Sequence, residues 1–326
     1  MKRRQKDHKL MSRFDVSIAG ELNLDLILYG LPREIPVERE LLATGMRVTL
    51  GGSSGIVAHN MAAMGARVGF VSLIGSDPFG DIALERMAKG GVDVSRVRRM
   101  QGASTGLSTI LQRGSQRSIL TYPGTMFQMS YDDLDLEYLA SAQHFHLAAL
   151  FLQENLRPRV AELFREMKTA GLTTSLDTND DPRDLWDGVD EILRYVDVFL
   201  PNEREARKIG GTEDLPLAIK RLSEMVPIVA VKIGSKGAMA RRGSEEHTVP
   251  AMPVEVVDAV GAGDSFDAGF LFQYLQGADL PTCLEFGNLA GALSTTQPGG
   301  TEAFRDRAAM EEFLREKLGL ANGVRK

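Results

Sequence analysis

Two periods of apolar residues take turns along this chain. Runs such as Phe14-Asp15-Val16-Ser17-Ile18-Ala19-Gly20 and Val68-Gly69-Phe70-Val71-Ser72-Leu73-Ile74 have strand length and are rich in β-branched and aromatic residues. From residue 131 to 255 the alternation is regular. Ala142 to Leu147 is strand-like, Pro158 to Thr169 an amphipathic helix, and Thr173 to Asp177 a strand. A helix from Val189 to Tyr195, a strand from Val196 to Leu200, a helix from Leu215 to Met225 and a strand from Ile228 to Ile233 follow. Short links between such elements predict a mainly parallel sheet with helices on both faces, a three-layer α/β/α fold.

Residues 26–50 and 104–122 break this rhythm. Pro32, Pro36 and Gly45 punctuate the first, and Leu107-Ser108-Thr109-Ile110-Leu111 alternates in the second, so both read as short β structure. Gly51-Gly52-Ser53-Ser54-Gly55 opens a helix that runs to Gly65, and Asp81 to Lys89 reads as another. Pro281 to Thr295 and residues 307–318 close the chain as helices, with a frayed tail from 321 to 326.

Length and charge narrow the class. A chain of 326 residues with 43% hydrophobic content buries a large core, and we expect one folded unit from 14 to 320 behind a disordered basic tail, residues 1–13. A net charge of −6 argues against a broad nucleic-acid or anionic-membrane surface, so any phosphate site must be local. No stretch reaches the roughly 20 apolar residues of a membrane span. The single Cys283 excludes an intramolecular disulfide or a cysteine metal cluster and suits a reducing compartment, so a cytoplasmic protein is expected.

Candidate chemistry concentrates in Asp258-Ala259-Val260-Gly261-Ala262-Gly263-Asp264, followed by Ser265-Phe266-Asp267-Ala268-Gly269-Phe270-Leu271-Phe272. A strand-like run through Val254, Val256 and Val257 enters it, small residues allow a tight turn, and a buried helix follows. A helix N-terminus there offers unsatisfied N–H donors and partial positive charge to an anionic oxygen, most naturally phosphate. Two readings fit Asp264: an N-cap, or a general base beside donors that hold developing phosphoryl charge.

This motif resembles the signature of the ribokinase-like sugar and nucleoside kinases, the PfkB carbohydrate kinase family, which ends in Gly-Ala-Gly-Asp. Further motifs in the same order extend the resemblance over residues 14–305. It implies Asp264 as base and Gly261, Ala262 and Gly263 as the anion hole. It implies Asn23 and Asp25, directly after the first strand, as grips on substrate hydroxyls, with Gly51, Gly52 and Ser53 beside them. Ile56 departs from the family's Asn, five residues after the first Gly of that pair. Pro201-Asn202-Glu203-Arg204-Glu205 matches the family's Asn-x-x-Glu, associated with magnesium and nucleotide phosphates, so Asn202 and Glu205 are the metal candidates; a capped helix start explains the same residues.

Val231-Lys232-Ile233-Gly234-Ser235-Lys236-Gly237 corresponds to a turn that lines the nucleotide, with Lys232 or Lys236 as a point charge for phosphate. Asn288 falls near the adenine-proximal position. Asp258 with the loop Gln297-Pro298-Gly299-Gly300-Thr301 is where the resemblance implies a monovalent cation, potassium. The two short β segments become a lid sheet over the sugar and a homodimer contact. His144 and His146 share a strand face, and without a third ligand they read as structural or substrate-lining residues. Asp177-Thr178-Asn179-Asp180-Asp181-Pro182 ends a strand and fits turn chemistry as well as a divalent ion, with Asp177 toward the crevice.

The expected function is an ATP- and magnesium-dependent kinase acting on a hydroxyl of a sugar or sugar-like small molecule. A nucleoside kinase of adenosine type and a non-catalytic sugar-binding regulator on the same fold are the alternatives. The P-loop Gly-x-x-x-x-Gly-Lys-Ser/Thr and a Gly-x-Gly-x-x-Gly after the first strand are both absent from the sequence.

Overall fold

Strands form where the apolar runs lie, and their order places the polar loop residues at one rim. The computed structural model describes residues 12–114 and 116–319. The main sheet has the order β13-β12-β11-β10-β9-β8-β1-β4-β5. Its members are β1 (Phe14–Ala19), β4 (Val68–Gly75), β5 (Asp93–Met100), β8 (Ala142–Leu147), β9 (Thr173–Leu176), β10 (Val198–Phe199), β11 (Ile228–Lys232), β12 (Ala238–Arg242) and β13 (Glu245–Val249). Neighbours from β5 through β11 pair parallel, and β12 and β13 add an antiparallel edge. The Gly234–Gly237 turn thus closes a β11-β12 hairpin, with Ile233 N–H donating to the Gly237 carbonyl at 2.8 Å.

Alternate residues of one strand enter different cores. Ile228 and Ala230 join the cluster built on helices α1 (Ser53–Ala63), α2 (Pro78–Lys89), α8 (Ala262–Leu275) and α9 (Leu280–Thr295). Val229 and Val231 join the other, with α4 (Val160–Thr169), α5 (Val189–Leu193) and α7 (Leu215–Ser223). Period-two alternation therefore yields the expected three layers. Shorter elements α3 (Leu136–Ala140), α6 (Glu203–Ile209), α10 (Glu302–Arg305) and the closing α11 (Arg307–Lys317) fill the rims.

The second sheet has the order β3-β2-β6-β7, from β2 (Asn23–Tyr29), β3 (Gly45–Gly51), β6 (Gly106–Arg113) and β7 (Gln116–Tyr122). β2 pairs parallel with β6 and the outer pairs are antiparallel. Ile27 and Ile110 of this sheet pack with Val260, so the small sheet rests on the loop that precedes α8.

Two expectations need correction. The run through Val254, Val256 and Val257 is no strand: residues 251–256 have no regular structure, and Val256 and Val257 are exposed. Pro250 and Pro253 lack ladder donors, and the Val257 N–H goes to the Thr295 carbonyl at 2.8 Å instead. α2 begins at Pro78, not Asp81, because Asp77 caps it by accepting from the Gly80 N–H and Pro78 occupies the first turn. Residues 1–11 and 320–326, which hold most of the expected tails, lie outside the described residues; Ser12 is buried and Arg13 pairs with Asp93 at 2.7 Å.

Candidate active site

The parallel strands β1, β8, β9 and β11 all end at one rim, where open α/β sheets bind ligands. Glu21, Ala149, Asp177 and Lys232 stand there, and α8 and α1 begin beside them. Gly261, at φ 71°, turns the backbone into α8 as its N-cap. A Cβ on it would lie 2.5 Å from Gly300 Cα, so glycine is required by space as well. Ser265 N–H closes the first helical turn on the Gly261 carbonyl at 2.9 Å, and Ala262 N–H makes a long bond of 3.4 Å to Ala259. Among the described residues, the N–H groups of Gly263 and Asp264 have no acceptor, as the geometry of a helix start dictates. Gly263 is exposed and Asp264 beneath it is 8% exposed.

Asp264 is not capping its own helix. Its Oδ1 accepts from Asn179 Nδ2 at 3.4 Å, and the same Nδ2 donates to Ser53 Oγ at 2.9 Å. Burial, then the neighbouring Asp177, raise the Asp264 carboxyl above its ordinary range, while Lys232, Ser53 and Asn179 pull it back. Asn179 itself sits at φ 53° and accepts from Ala149 N–H at 2.8 Å, joining the loops after β8 and β9 to the starts of α1 and α8. An Asn tolerates this left-handed conformation better than most residues.

Below Asp264 lies a buried trio. Lys232 Nζ donates to Asp177 Oδ2 at 2.7 Å and to both oxygens of Asp267 at 3.0 Å. Burial alone would raise Asp177, but the Lys232 ammonium and a hydrogen bond from Asp267 bring it below its ordinary range. Burial drives the Asp267 carboxyl well above its ordinary range, with Lys232 pulling it back. The ammonium lies 3.9 Å from where a Cβ on Gly263 would stand, directly under the open donors.

The residues expected to grip substrate gather at the start of β2. Asn23 is 1% exposed, donates to Asp25 Oδ1 at 3.4 Å, and leaves its own side-chain oxygen without a partner. Burial, then the Asp264 and Asp258 charges, push Asp25 up to about 8. Gly51 and Gly52 are needed beside these two: a Cβ would stand 2.1 Å from Asp25 Oδ1 on Gly51 and 2.6 Å from Asn23 Oδ1 on Gly52. Glu21, unremarked by the pattern, sends both oxygens to Ser54, at 3.0 Å to its N–H and 2.8 Å to its hydroxyl. One first-turn N–H of α1, that of Ser54, is thereby taken by the chain's own carboxylate, while among the described residues those of Ser53 and Gly55 have no acceptor.

Ile56 is no altered ligand contact. It is 2% exposed and packs where Cβ atoms on Gly261 and Gly300 would fall, 3.1 and 2.6 Å from its Cδ1. Asn60 donates to Ser265 Oγ and the Gly300 carbonyl, and His59 bonds Asn60, so both are packing residues. His144 and His146 are buried on Ser175, which holds a nitrogen of each at 2.7 Å.

On the nucleotide side Asn202 and Glu205 form a capping box at the start of α6. Glu205, 3% exposed, accepts the Asn202 N–H at 2.8 Å, and burial with the nearby Asp177 pushes it up to about 8. Both Glu205 oxygens accept from Asn202 and Lys232 acts on them from nearby, so a hard divalent cation would use their remaining lone pairs, with phosphate and water oxygens completing its shell. Asn202 bridges to Lys232. Gly234 (φ 57°), Ser235 and Gly237 (φ 100°) form the hairpin turn beyond, and Asn288 donates to the Val249 and Pro250 carbonyls at 3.1 Å. Asp258 accepts from Val260 N–H at 3.0 Å and Gly299 N–H at 3.1 Å, tying its loop to the Gly299-Gly300 loop.

Comparison with known proteins agrees with this geometry. Residues 13–307 match the family described as "pfkB family carbohydrate kinase". A 2-dehydro-3-deoxygluconokinase of Bacillus subtilis is 30% identical over 81% of this chain and 86% of its own length. An ATP-dependent ribose-1-phosphate kinase of Halopiger xanaduensis is 29% identical over 92% and 98%. A solved structure assigned as a ribokinase II of E. coli, in complex with ATP and magnesium, superposes with a TM-score of 0.81 at 25% identity, covering 93% of this chain and 99% of that one.

Proposed function

The chain belongs to the pfkB family of carbohydrate kinases, and from that premise we propose that it moves the terminal phosphoryl group of ATP to a hydroxyl of a sugar or sugar-like acceptor, with Asp264 as general base. One observation carries the reading: a buried carboxylate and two N–H groups without an internal acceptor begin the same helix. The acceptor hydroxyl gives its proton to Asp264 while its oxygen bonds to phosphorus, and the bond from phosphorus to the bridging oxygen of ADP breaks. The N–H groups of Gly263 and Asp264 hold the charge that grows on the transferring group, with the Gly261 turn aiming them. Lys232 adds fixed positive charge below, oriented by Asp177 and Asp267.

Asn202 and Glu205 would hold magnesium, which when bound neutralises charge on the phosphate oxygens. Gly234, Ser235, Gly237 and Asn288 form the nucleotide side of the crevice, and Asn23, Asp25, Gly51, Gly52 and Ser53 the acceptor side. Asp258 is the place for a potassium ion. The small sheet acts as a lid that excludes water, and its exposed Met46, Ile119, Leu120 and Tyr122 support pairing of two copies in a cytoplasmic homodimer.

The test is turnover of ATP with ribose, fructose and adenosine by the wild-type chain and by Asp264→Asn. Phosphorylation of at least one acceptor, lost in the variant, supports the reading, and an equally active variant removes Asp264 from the mechanism.

A further inference from the structure

Behind the trio of Asp177, Lys232 and Asp267 runs a row of polar side chains that phosphoryl transfer does not use. On the face of β8 and β9 that meets α8, His144 lies across from Thr173 and His146 across from Ser175, with Asp177 next in line. His144 Nδ1 is 2.8 Å from Thr173 Oγ1, and Ser175 Oγ is 2.7 Å from both His144 Nε2 and His146 Nδ1. His146 Nε2, at the inner end, is buried and has no partner among the described residues. Asp177 of the loop after β9 and Lys232 of β11 both act on that ring, and Lys168 of α4 acts on His144. Thr173, the outer end, is half-buried at the start of β9, on the rim opposite the crevice. There it meets the Gln143 carbonyl at 3.5 Å and lies within hydrogen-bond reach of the Tyr274 hydroxyl of α8.

The hydrogens of this row have only two complete arrangements. Burial holds His144 well below its ordinary range and His146 down to about 4, so each ring is neutral with one N–H. If both rings carry it on Nε2, Thr173 donates to His144, His144 to Ser175 and Ser175 to His146, and the spare hydrogen is on His146 at the inner end. If both carry it on Nδ1, every bond runs the other way and the spare hydrogen is on Thr173, toward Gln143. A mixed pair either sets two bare nitrogens against the one Ser175 hydrogen or leaves that hydrogen without an acceptor, which burial penalises.

We infer, resting on the kinase reading above, that this row is a one-proton shuttle between solvent behind the sheet and the trio beneath Asp264, and that binding of nucleotide phosphate drives it. The trio has two carboxylates for one ammonium, and the ammonium lies under the open N–H groups of Gly263 and Asp264. A phosphate held there draws on Lys232, so Asp177 loses part of its compensation and gains affinity for a proton. With the crevice filled, the proton comes from behind. One enters at Thr173, each hydrogen moves one place inward, and the one on His146 Nε2 crosses through a water molecule to the Asp177 carboxylate. Both rings end on Nδ1 and the row holds as many hydrogens as before; departure of the nucleotide reverses the sequence.

Long-range proton–nitrogen NMR correlation spectra of the full chain, labelled with heavy nitrogen at histidine, read the tautomer of each ring, and His144→Gln and His146→Gln assign the signals. The free protein should have both rings protonated on Nε2, and saturating ADP, added without metal, should bring both to Nδ1 together. Ser175→Ala removes the middle link, so His144 should no longer follow His146. Thr173→Val, cut at the half-buried end, serves where that variant does not fold, and should abolish the response of both rings. Rings of opposite tautomer, or matched rings that ADP does not bring to Nδ1, overturn the shuttle and leave the kinase reading standing, because phosphorylation of ribose, fructose and adenosine is scored separately. A switch driven by ADP in a chain that phosphorylates none of them upholds the shuttle and counts against the kinase reading. ADP that does not bind counts against both.

Discussion

Helices α1 and α8 both begin after a glycine in the left-handed region, Gly52 at φ 78° and Gly261 at φ 71°, and both have a carboxylate beside their first turn. At α1 the acid is Glu21, which arrives from the end of β1 and takes the N–H and hydroxyl of Ser54. At α8 the acid is Asp264 of the helix itself, turned toward Asn179 while two N–H groups stay without an acceptor. One start is thus braced at a single N–H by an acid brought from β1 and the other carries no such brace, and the two glycines share a positive φ but differ in ψ, 126° at Gly52 and 8° at Gly261. What separates the two is a residue more than thirty positions away in one case and its absence in the other.

Breaking each terminus should give different losses. Asp264→Asn is expected to lower kcat by about 100-fold or more while ATP affinity and thermal midpoint stay near wild type, the size typical of a lost general base. Steady-state kinetics beside a melting curve decide it, and a large fall in midpoint would make Asp264 a brace like Glu21. Glu21→Ala should do the opposite, costing about 1–3 kcal/mol of stability by stranding the buried Ser54 groups, read from denaturant unfolding. A variant as stable as the parent would mean the brace is idle.

Asn179→Ala is the next smaller effect, a fall in kcat of about tenfold for one lost positioning hydrogen bond. Its signature is the pH profile. Asn179 favours the ionised Asp264, so without it the acidic limb of kcat/KM moves to higher pH, a shift that a purely packing role would not produce.

The smallest effect is in stability against pH. Folding raises Glu21 from 4.5 to about 7, Asp25 from 3.8 to about 8 and Glu205 from 4.5 to about 8. Between those limits the folded chain keeps protons that the unfolded chain has released, so the stability these groups contribute is full below the ordinary values and fades as pH rises through 7 to 8. The melting point of the ligand-free protein should fall by a few degrees from mildly acid to mildly alkaline buffer, with a shallower slope in Glu21→Gln. A midpoint that climbs over that range would contradict the raised carboxylates.

Much of this was legible in advance because it is local. Alternating periods located β1, β4, β8, β9 and β11 and the helices between them, and the Gly-Ala-Gly-Asp stretch marked the start of α8. Val254, Val256 and Val257 misled, since a β-rich composition says nothing about whether a partner strand lies alongside; here the carbonyl of Thr295 does. Glu21 went unremarked and Asn179 passed as a turn residue because their meaning lies in what they touch. Their signals were a carboxylate at a strand end and an Asn after one, both ordinary in loops.

Taken alone, the order of residues determined the three layers and the start of α8, because periodicity, glycine and helix starts act over a few neighbours; the small second sheet and Asp264 as base rest on the family resemblance. Only tertiary structure decided that Glu21 braces the start of α1, that Ile56 packs against the loops of Gly261 and Gly300, and that Asp177, Lys232 and Asp267 meet beneath Asp264. Those outcomes depend on burial and on charges brought together from distant strands, and neither quantity exists until the chain has closed on itself.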